Sequence, residues 1–347
     1  MLVDSSPEQR AETAPAPPSR RAIRALGLLV SVAILLIVAL ASIAIGAKQL
    51  PLDQVWHGLF HDTGTYGDVV VGTRLSRTVL GLLAGAALGL SGAVLQALTR
   101  NPLADPGLLG INAGASAAVV TAITYFGVTT LSGYVWFAFL GSAVVGALVW
   151  FLGGSRGATP VRLALAGTAI SAALYGYLQA VMITDDAALN KLRFWTVGSL
   201  ASAGNSTILQ VLPFLAAGTL LALGLARPLN AVAMGDDTAR ALGAHLGRTR
   251  ALAMLAATVL CGAATAACGP IAFVGLMVPH AVRSLTGPDL RWILPYAAVL
   301  SPVLLLGADV IGRVVARPSE LQVGIVTAII GGPVFILLVR RRRTAQL

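Results

Sequence analysis

The strongest constraint on this chain is a succession of apolar blocks, each close to the length a helix needs to cross a bilayer. They fall at about 26–47, 78–98, 107–127, 134–153, 161–183, 206–226, 250–268, 271–286, 291–315 and 322–340. About 20 helical residues cover the roughly 30 Å of bilayer hydrocarbon. The pattern predicts an all-α polytopic membrane protein with about ten transmembrane helices. The stretch 250–286 is divided by Gly269-Pro270, a pair that breaks helices. Read as one span, it would give nine.

Composition agrees. Of 347 residues 56% are hydrophobic and only 11% charged, against roughly 25% charged in soluble domains. The 38 glycines suit helices that pack through small residues. The net charge of +10 does not point to nucleic acid, because the basic residues lie at the ends of apolar blocks and no soluble domain carries a basic face. They follow the positive-inside rule. Arg100, Arg156, Arg162, Arg227, Arg240, Arg248, Arg250, Arg283, Arg291 and the run Arg340 to Arg343 then mark the cytoplasmic side. Both termini are placed in the cytoplasm, which requires an even number of spans.

Residues 1–25 are polar and rich in Pro and Ala, and read as a disordered cytoplasmic tail; residues 26–343 read as the membrane domain. Ser19-Arg20-Arg21 hints at a twin-arginine signal, but the apolar run that follows is about twice the length of a signal-peptide core, so it is taken as the first span. Cys261 and Cys268 share one block and lie roughly 10 Å apart at helical rise, too far to bridge. They read as packing residues.

The acidic residues discriminate between mechanisms. Of 14, only Asp309 falls inside an apolar block, and Arg313 four residues later can pair with it. A proton- or sodium-coupled transporter needs an intramembrane carboxylate for its driving ion, and this one has a partner at hand. No G-x-x-x-x-G-K-[ST] loop exists. The driving force is therefore expected from a partner ATPase. No metal or cofactor site is read: His57 and His61 are four apart, but their stretch Trp56 to Asp62 reads as an extracytoplasmic loop.

Four ordered segments resemble the permease family of iron-siderophore, haem and cobalamin ABC importers. They are Arg74-Leu75-Ser76-Arg77 followed by Asn101 to Gly110; Phe194 to Ser199; Leu229 to Gly243 with Gly235-Asp236-Asp237 at its centre; and Gly269 to His280, continuing to Asp309, Arg313, Glu320 and Gly331-Gly332-Pro333. The chain departs from the family pattern at Ser76 and Gln322, where proline is usual. The resemblance covers about residues 26–343. It implies a multi-pass inner-membrane protein that works with a second permease chain, identical or related. A cytoplasmic ABC ATPase dimer would bind below, and an extracytoplasmic substrate-binding protein would dock above. The cargo would be a metal chelate, with ferric siderophore the first choice.

The resemblance assigns roles that the residues alone leave open. Arg74, Arg77 and Arg313 would form an outer cationic rim for carboxylates of the binding protein, arginine being suited by its planar fork; otherwise they snorkel or pair with Asp309. Gly235, Asp236, Asp237, Ala239, Arg240, Leu242, Gly243 and Leu246, within a coupling loop of about 229–250, would dock in an ATPase groove; otherwise the helix packs on its own bundle. Asn101, Pro102, Pro106, Gly107, Gly269, Pro270, Pro279 and His280 break helices and could line a path, or simply permit tight packing. The competing readings are a stand-alone ion-coupled secondary transporter or channel, and a membrane enzyme, for which no His/Asp/Glu cluster is found.

Overall fold

The computed structural model describes residues 20–61, 64–128, 130–153, 160–201, 204–241 and 243–343. Among these, every regular element is a helix. In chain order they are α1 (Arg20–Ala44), α2 (Leu52–Phe60), α3 (Tyr66–Thr99), a 3-10 turn (Pro106–Leu109), α4 (Ile111–Phe126), α5 (Leu131–Gly153), α6 (Pro160–Thr184), α7 (Asp186–Trp195), α8 (Asn205–Gly224), α9 (Ala226–Ala233), α10 (Asp236–Ala241), α11 (Leu246–Cys268), α12 (Val274–Thr286), α13 (Leu290–Val315) and α14 (Val323–Arg343). Seven are long and apolar enough to cross a membrane: α1, α3, α5, α6, α8, α11 and α13. The helices α4 and α14 are apolar but shorter in that respect. The 13 residues of α12 rise only about 20 Å, less than the hydrocarbon thickness.

The long helix α3 forms the centre. It starts twelve residues before the apolar block that announces it. Thr65 Oγ1 accepts from the Asp68 amide and Asp68 Oδ2 accepts from the Thr65 amide at 3.0 Å, a capping box that satisfies two otherwise orphaned donors. From Leu80 to Thr99 nearly all of its side chains are buried. It packs against α13, α11 and α12, and glycine makes the approach close. A Cβ on Gly85 would lie 2.6 Å from Pro302 Cα of α13, and one on Gly92 would collide with the Gly275 carbonyl of α12. Small residues of this kind let helices associate where lipid supplies no hydrophobic drive.

By contrast α1 leaves Leu26, Leu29, Leu36, Ile37 and Leu40 exposed, the surface a lipid-facing helix presents. The expected break after Cys268 is present: α11 ends there, and Gly269, at φ +75, lies against the Trp195 carbonyl, where a side chain would clash.

Three readings need correction. Residues 20–25 belong to α1 rather than to the tail, whose residues 1–19 lie outside the described residues. The stretch around His57 is not a loop but α2. Its Val55 is buried and its Gly58 faces Val71 of α3, while His57 Nδ1 lies 3.3 Å from Asp68 Oδ1. Lastly, Arg74 and Arg77, which precede the apolar block 78–98, do not stand at the end of their helix. They are two to three turns inside α3, because its first turns, where Asp68, Thr73 and the arginines interrupt the apolar residues, escaped the hydropathy pattern.

Candidate functional site

Arg74, Arg77 and Arg313 come together, and all are buried. Arg77 grips Asp309: Nε donates to Oδ1 and Oδ2 at 3.1 and 3.0 Å, and Nη2 to Oδ1 at 2.6 Å. Its Nη1 reaches Glu320 Oε2 at 2.6 Å. Arg313 Nη2 lies 3.0 Å from Asp309 Oδ2, the i,i+4 pair expected from sequence. Asp309 is fully buried and Arg313 nearly so, whereas the Glu320 side chain is 37% exposed.

The remaining donors do a different job. A helix leaves its last carbonyls without intrahelical partners, and α1 ends here. Arg313 Nη1 donates to the Ser42 carbonyl at 2.9 Å. Arg74 Nη1 donates to those of Ile43 and Ala44 at 3.1 and 3.0 Å, and Arg74 Nη2 to that of Lys48 at 2.5 Å. Cations at a helix C-terminus also oppose its dipole. The cluster thus clamps α1, α3, α13 and the segment before α14. It is a buried knot rather than an open rim.

At the opposite end of the bundle, Asp236 plays the central part. It opens α10 and pairs with Arg100 and with Arg250, the latter at 2.8 Å. Arg100, in the left-handed conformation at the C-cap of α3, also donates to the Val232 carbonyl at 2.8 Å. Partial burial disfavours the charged Asp236 carboxylate, but the hydrogen bonds and charges of the two arginines outweigh it and hold its pKa below the ordinary value. Ala239 and Leu246 pack with Val232 in a small separate core. The apolar face expected to enter a partner's groove is therefore turned onto the protein itself. Leu242 lies outside the described residues. Asp237, which pairs with Arg240 at 3.0 Å, and Met234 remain exposed. Gly235 and Gly243 both have positive φ and bracket the short helix. The roles of Arg100 and Arg250 had no local signal, since each acts on a residue more than a dozen positions away.

The two broken segments meet in the middle. Pro106 packs beside Gly275, and Gln96 Nε2 donates to the Leu276 carbonyl at 2.9 Å. Pro106, Gly269, Pro279 and His280 are buried in the bundle, with Pro102, Gly107 and Pro270 partly covered. Asn101 and Asp105 instead line a cavity of about 410 Å³ between the end of α3 and the start of α6, together with Thr99, Leu109, Leu165 and Thr168. Asp105 Oδ1 accepts from the Gly107 amide at 2.7 Å. Burial still raises its pKa to about 6, against the lowering effect of that hydrogen bond. Phe273, at φ +69, is a non-glycine residue in the left-handed region, and its ring lies against Gly331 of α14.

No group of three or more metal-ligating side chains occurs among the described residues. Seven helices long and apolar enough to cross a membrane, with shorter apolar ones beside them, define a multi-pass membrane protein. More particularly, the chain belongs to the FecCD transport family, whose model matches residues 34–341. It is 49% identical to the ferric enterobactin transport system permease protein FepD of Escherichia coli (strain K12), over 93% of this chain and 96% of that one. It is 37% identical to the hemin transport system permease protein HmuU of Yersinia pestis, over 89% and 94%. Among solved structures it resembles a metal-chelate-type ABC transporter in an inward-facing conformation, with a TM-score of 0.80 at 27% identity, covering 91% of this chain and 99% of that one.

Proposed function

We propose that this chain is the membrane-spanning permease of an ATP-binding-cassette importer that carries a ferric siderophore into the cytoplasm. The observation that carries the reading is the 49% identity to a ferric enterobactin permease along nearly the whole of both chains, which makes ferric enterobactin the first cargo to test. Ten crossings place both termini in the cytoplasm. They count α4, α12 and α14 as spans, with α12 extended by the irregular residues 269–273.

A partner ATPase dimer engages the segment 229–250. Its contact is the exposed side of α10, with Met234, Asp237 and Arg240, since Ala239 and Leu246 face inward. Asp236, held by Arg100 and Arg250, ties that contact to the ends of α3 and α11. Movement of the ATPases would then be passed to two long helices as a rigid-body shift. A second permease chain completes the path. On the outer face Glu320 is the exposed partner of Arg77, so a carboxylate of the binding protein takes its place there. Arg74, Arg77 and Arg313 thereby act as the floor of the docking surface.

The test is uptake of labelled ferric enterobactin, hemin and cobalamin by a strain lacking the gene and by the complemented strain, with ATP and the proton gradient depleted separately. Loss of ferric enterobactin uptake, restored in an ATP-dependent way, is the expected result. Unchanged uptake of all three, or dependence on the gradient alone, refutes the reading.

A further inference from the structure

A second cavity has no part in this scheme. It is an apolar groove of about 350 Å³ between α5 and α11, walled by Phe139, Trp150, Phe151, Met254 and Leu255, with Thr258 also lining it. It exists because the two helices touch at small residues. A Cβ on Gly146 would lie 2.6 Å from Thr258 Oγ1, and one on Gly262 2.9 Å from Ser142 Cβ. The bulky side chains flanking these contacts cannot close over them.

Three features of the groove point to one occupant. Its volume falls in the range of small-molecule sites, and its walls are hydrocarbon and aromatic rings. Its α11 wall runs on to Arg248, which precedes Ala251 and Leu255 by three and seven residues and so shares their helix face. From Arg248 to Val259 the rise is about 16 Å, close to half the hydrocarbon thickness of a bilayer. Arg248 is exposed, and among the described residues no carboxylate pairs with it. Trp150 stands one turn from the end of α5, an amphipathic ring of the kind enriched at membrane interfaces. The groove therefore offers one leaflet's length of apolar wall that ends in an unneutralised cation.

We propose that this groove is a binding site for an anionic phospholipid, with an acyl chain along Phe139, Trp150 and Met254 and the phosphate on Arg248. Placing that lipid in the cytoplasmic leaflet rests on the orientation proposed above; the binding itself does not. The lipid would fill the gap beside α11, the helix whose Arg250 holds Asp236.

The experiment uses the complete transporter, delipidated in detergent and titrated with dioleoyl phosphatidylglycerol or dioleoyl phosphatidylcholine, with retained lipid counted by native mass spectrometry. The wild type is expected to prefer phosphatidylglycerol. Arg248→Gln should weaken it about fivefold, the effect of about one basic side chain near an anionic surface, and leave phosphatidylcholine unchanged. Ala147→Phe, at an exposed position of the groove wall, should displace both lipids. Equal binding of the two lipids by the wild type, or an undiminished preference in Arg248→Gln, overturns the proposal. So does a cross-link from the Leu255→Cys variant to a second protein chain in native membranes. Detergent has no sides, so a wrong orientation would appear only in the accessibility of a C-terminal tag, with lipid binding intact.

Discussion

The two ends of the bundle carry the same chemistry, two arginines around one aspartate, in opposite surroundings. At the end that the proposed orientation places outside, Asp309 is fully buried, with Arg77 8% and Arg313 1% exposed. At the other end, cytoplasmic in the proposed orientation, Asp236 is 33% and Arg100 36% exposed. Burial raises the stakes of each bond. Charges removed from water must be satisfied completely, and breaking such a pair leaves an uncompensated ion. An exposed pair is screened and contributes little. The outer knot is thus built to hold, and the inner one can loosen under modest force, as the coupling role proposed above requires.

The largest effect should come from cutting the outer knot. Asp309→Asn leaves Arg77 and Arg313 buried with one carboxylate fewer, and is expected to cost about 3–5 kcal/mol, read as a fall in unfolding temperature of the purified protein. A loss no larger than that of an exposed pair would erase the contrast between the two ends.

A carboxylate with burial but no cation sharpens it. Among the described residues no arginine or lysine pairs with Asp105, and its pKa stands at about 6. The folded state then holds a proton that the unfolded chain has lost, so stability should fall as pH rises from about 4 to about 6 and stay level above. Asp105→Asn keeps an acceptor for the Gly107 amide. It is expected to abolish this slope and to raise stability at pH 7 by up to about 3 kcal/mol. Parallel pH profiles of wild type and variant would refute the assignment.

The two clusters also show what a sequence can disclose. Each of the ten apolar blocks coincides with a helix, and the break at Gly269-Pro270 is where expected, because hydropathy and backbone chemistry are local. The Asp309–Arg313 pair was legible for the same reason. The Arg77–Asp309 grip was not, since it joins residues 232 apart and depends on how α3 lies on α13. The burial of Arg74 followed from the start of α3 at Tyr66, set by a cap rather than by hydropathy. The short helices α2, α7 and α9 lack a membrane-length signal. The amphipathic pattern of α10 was readable, but not whether its apolar face met a partner or its own bundle.

A smaller effect is expected at the inner knot. Asp236→Asn removes two partly exposed pairs, each contributing about 0.2–1 kcal/mol, so unfolding should shift slightly and less so in high salt. Because its pKa is depressed, that contribution is present above the ordinary carboxylate range and disappears as pH falls through the folded-state value. Uptake should drop far more than stability does, since Asp236 links α10 to α3 and α11. Equal losses of both would make it a plain structural pair.

The smallest stability change should accompany Glu320→Gln. Its side chain is exposed and Arg77 retains Asp309, so unfolding should move by less than about 1 kcal/mol. Binding should respond in the other direction. If Glu320 occupies the place on Arg77 that a docking carboxylate takes, removing its charge leaves Arg77 more strongly attractive, and the substrate-binding protein should associate more tightly at low salt. Surface plasmon resonance of the binding protein on reconstituted transporter would measure it. Weaker association would make Glu320 itself a docking contact, with a cationic partner opposite, and the outer knot would then be a clamp for α1 alone.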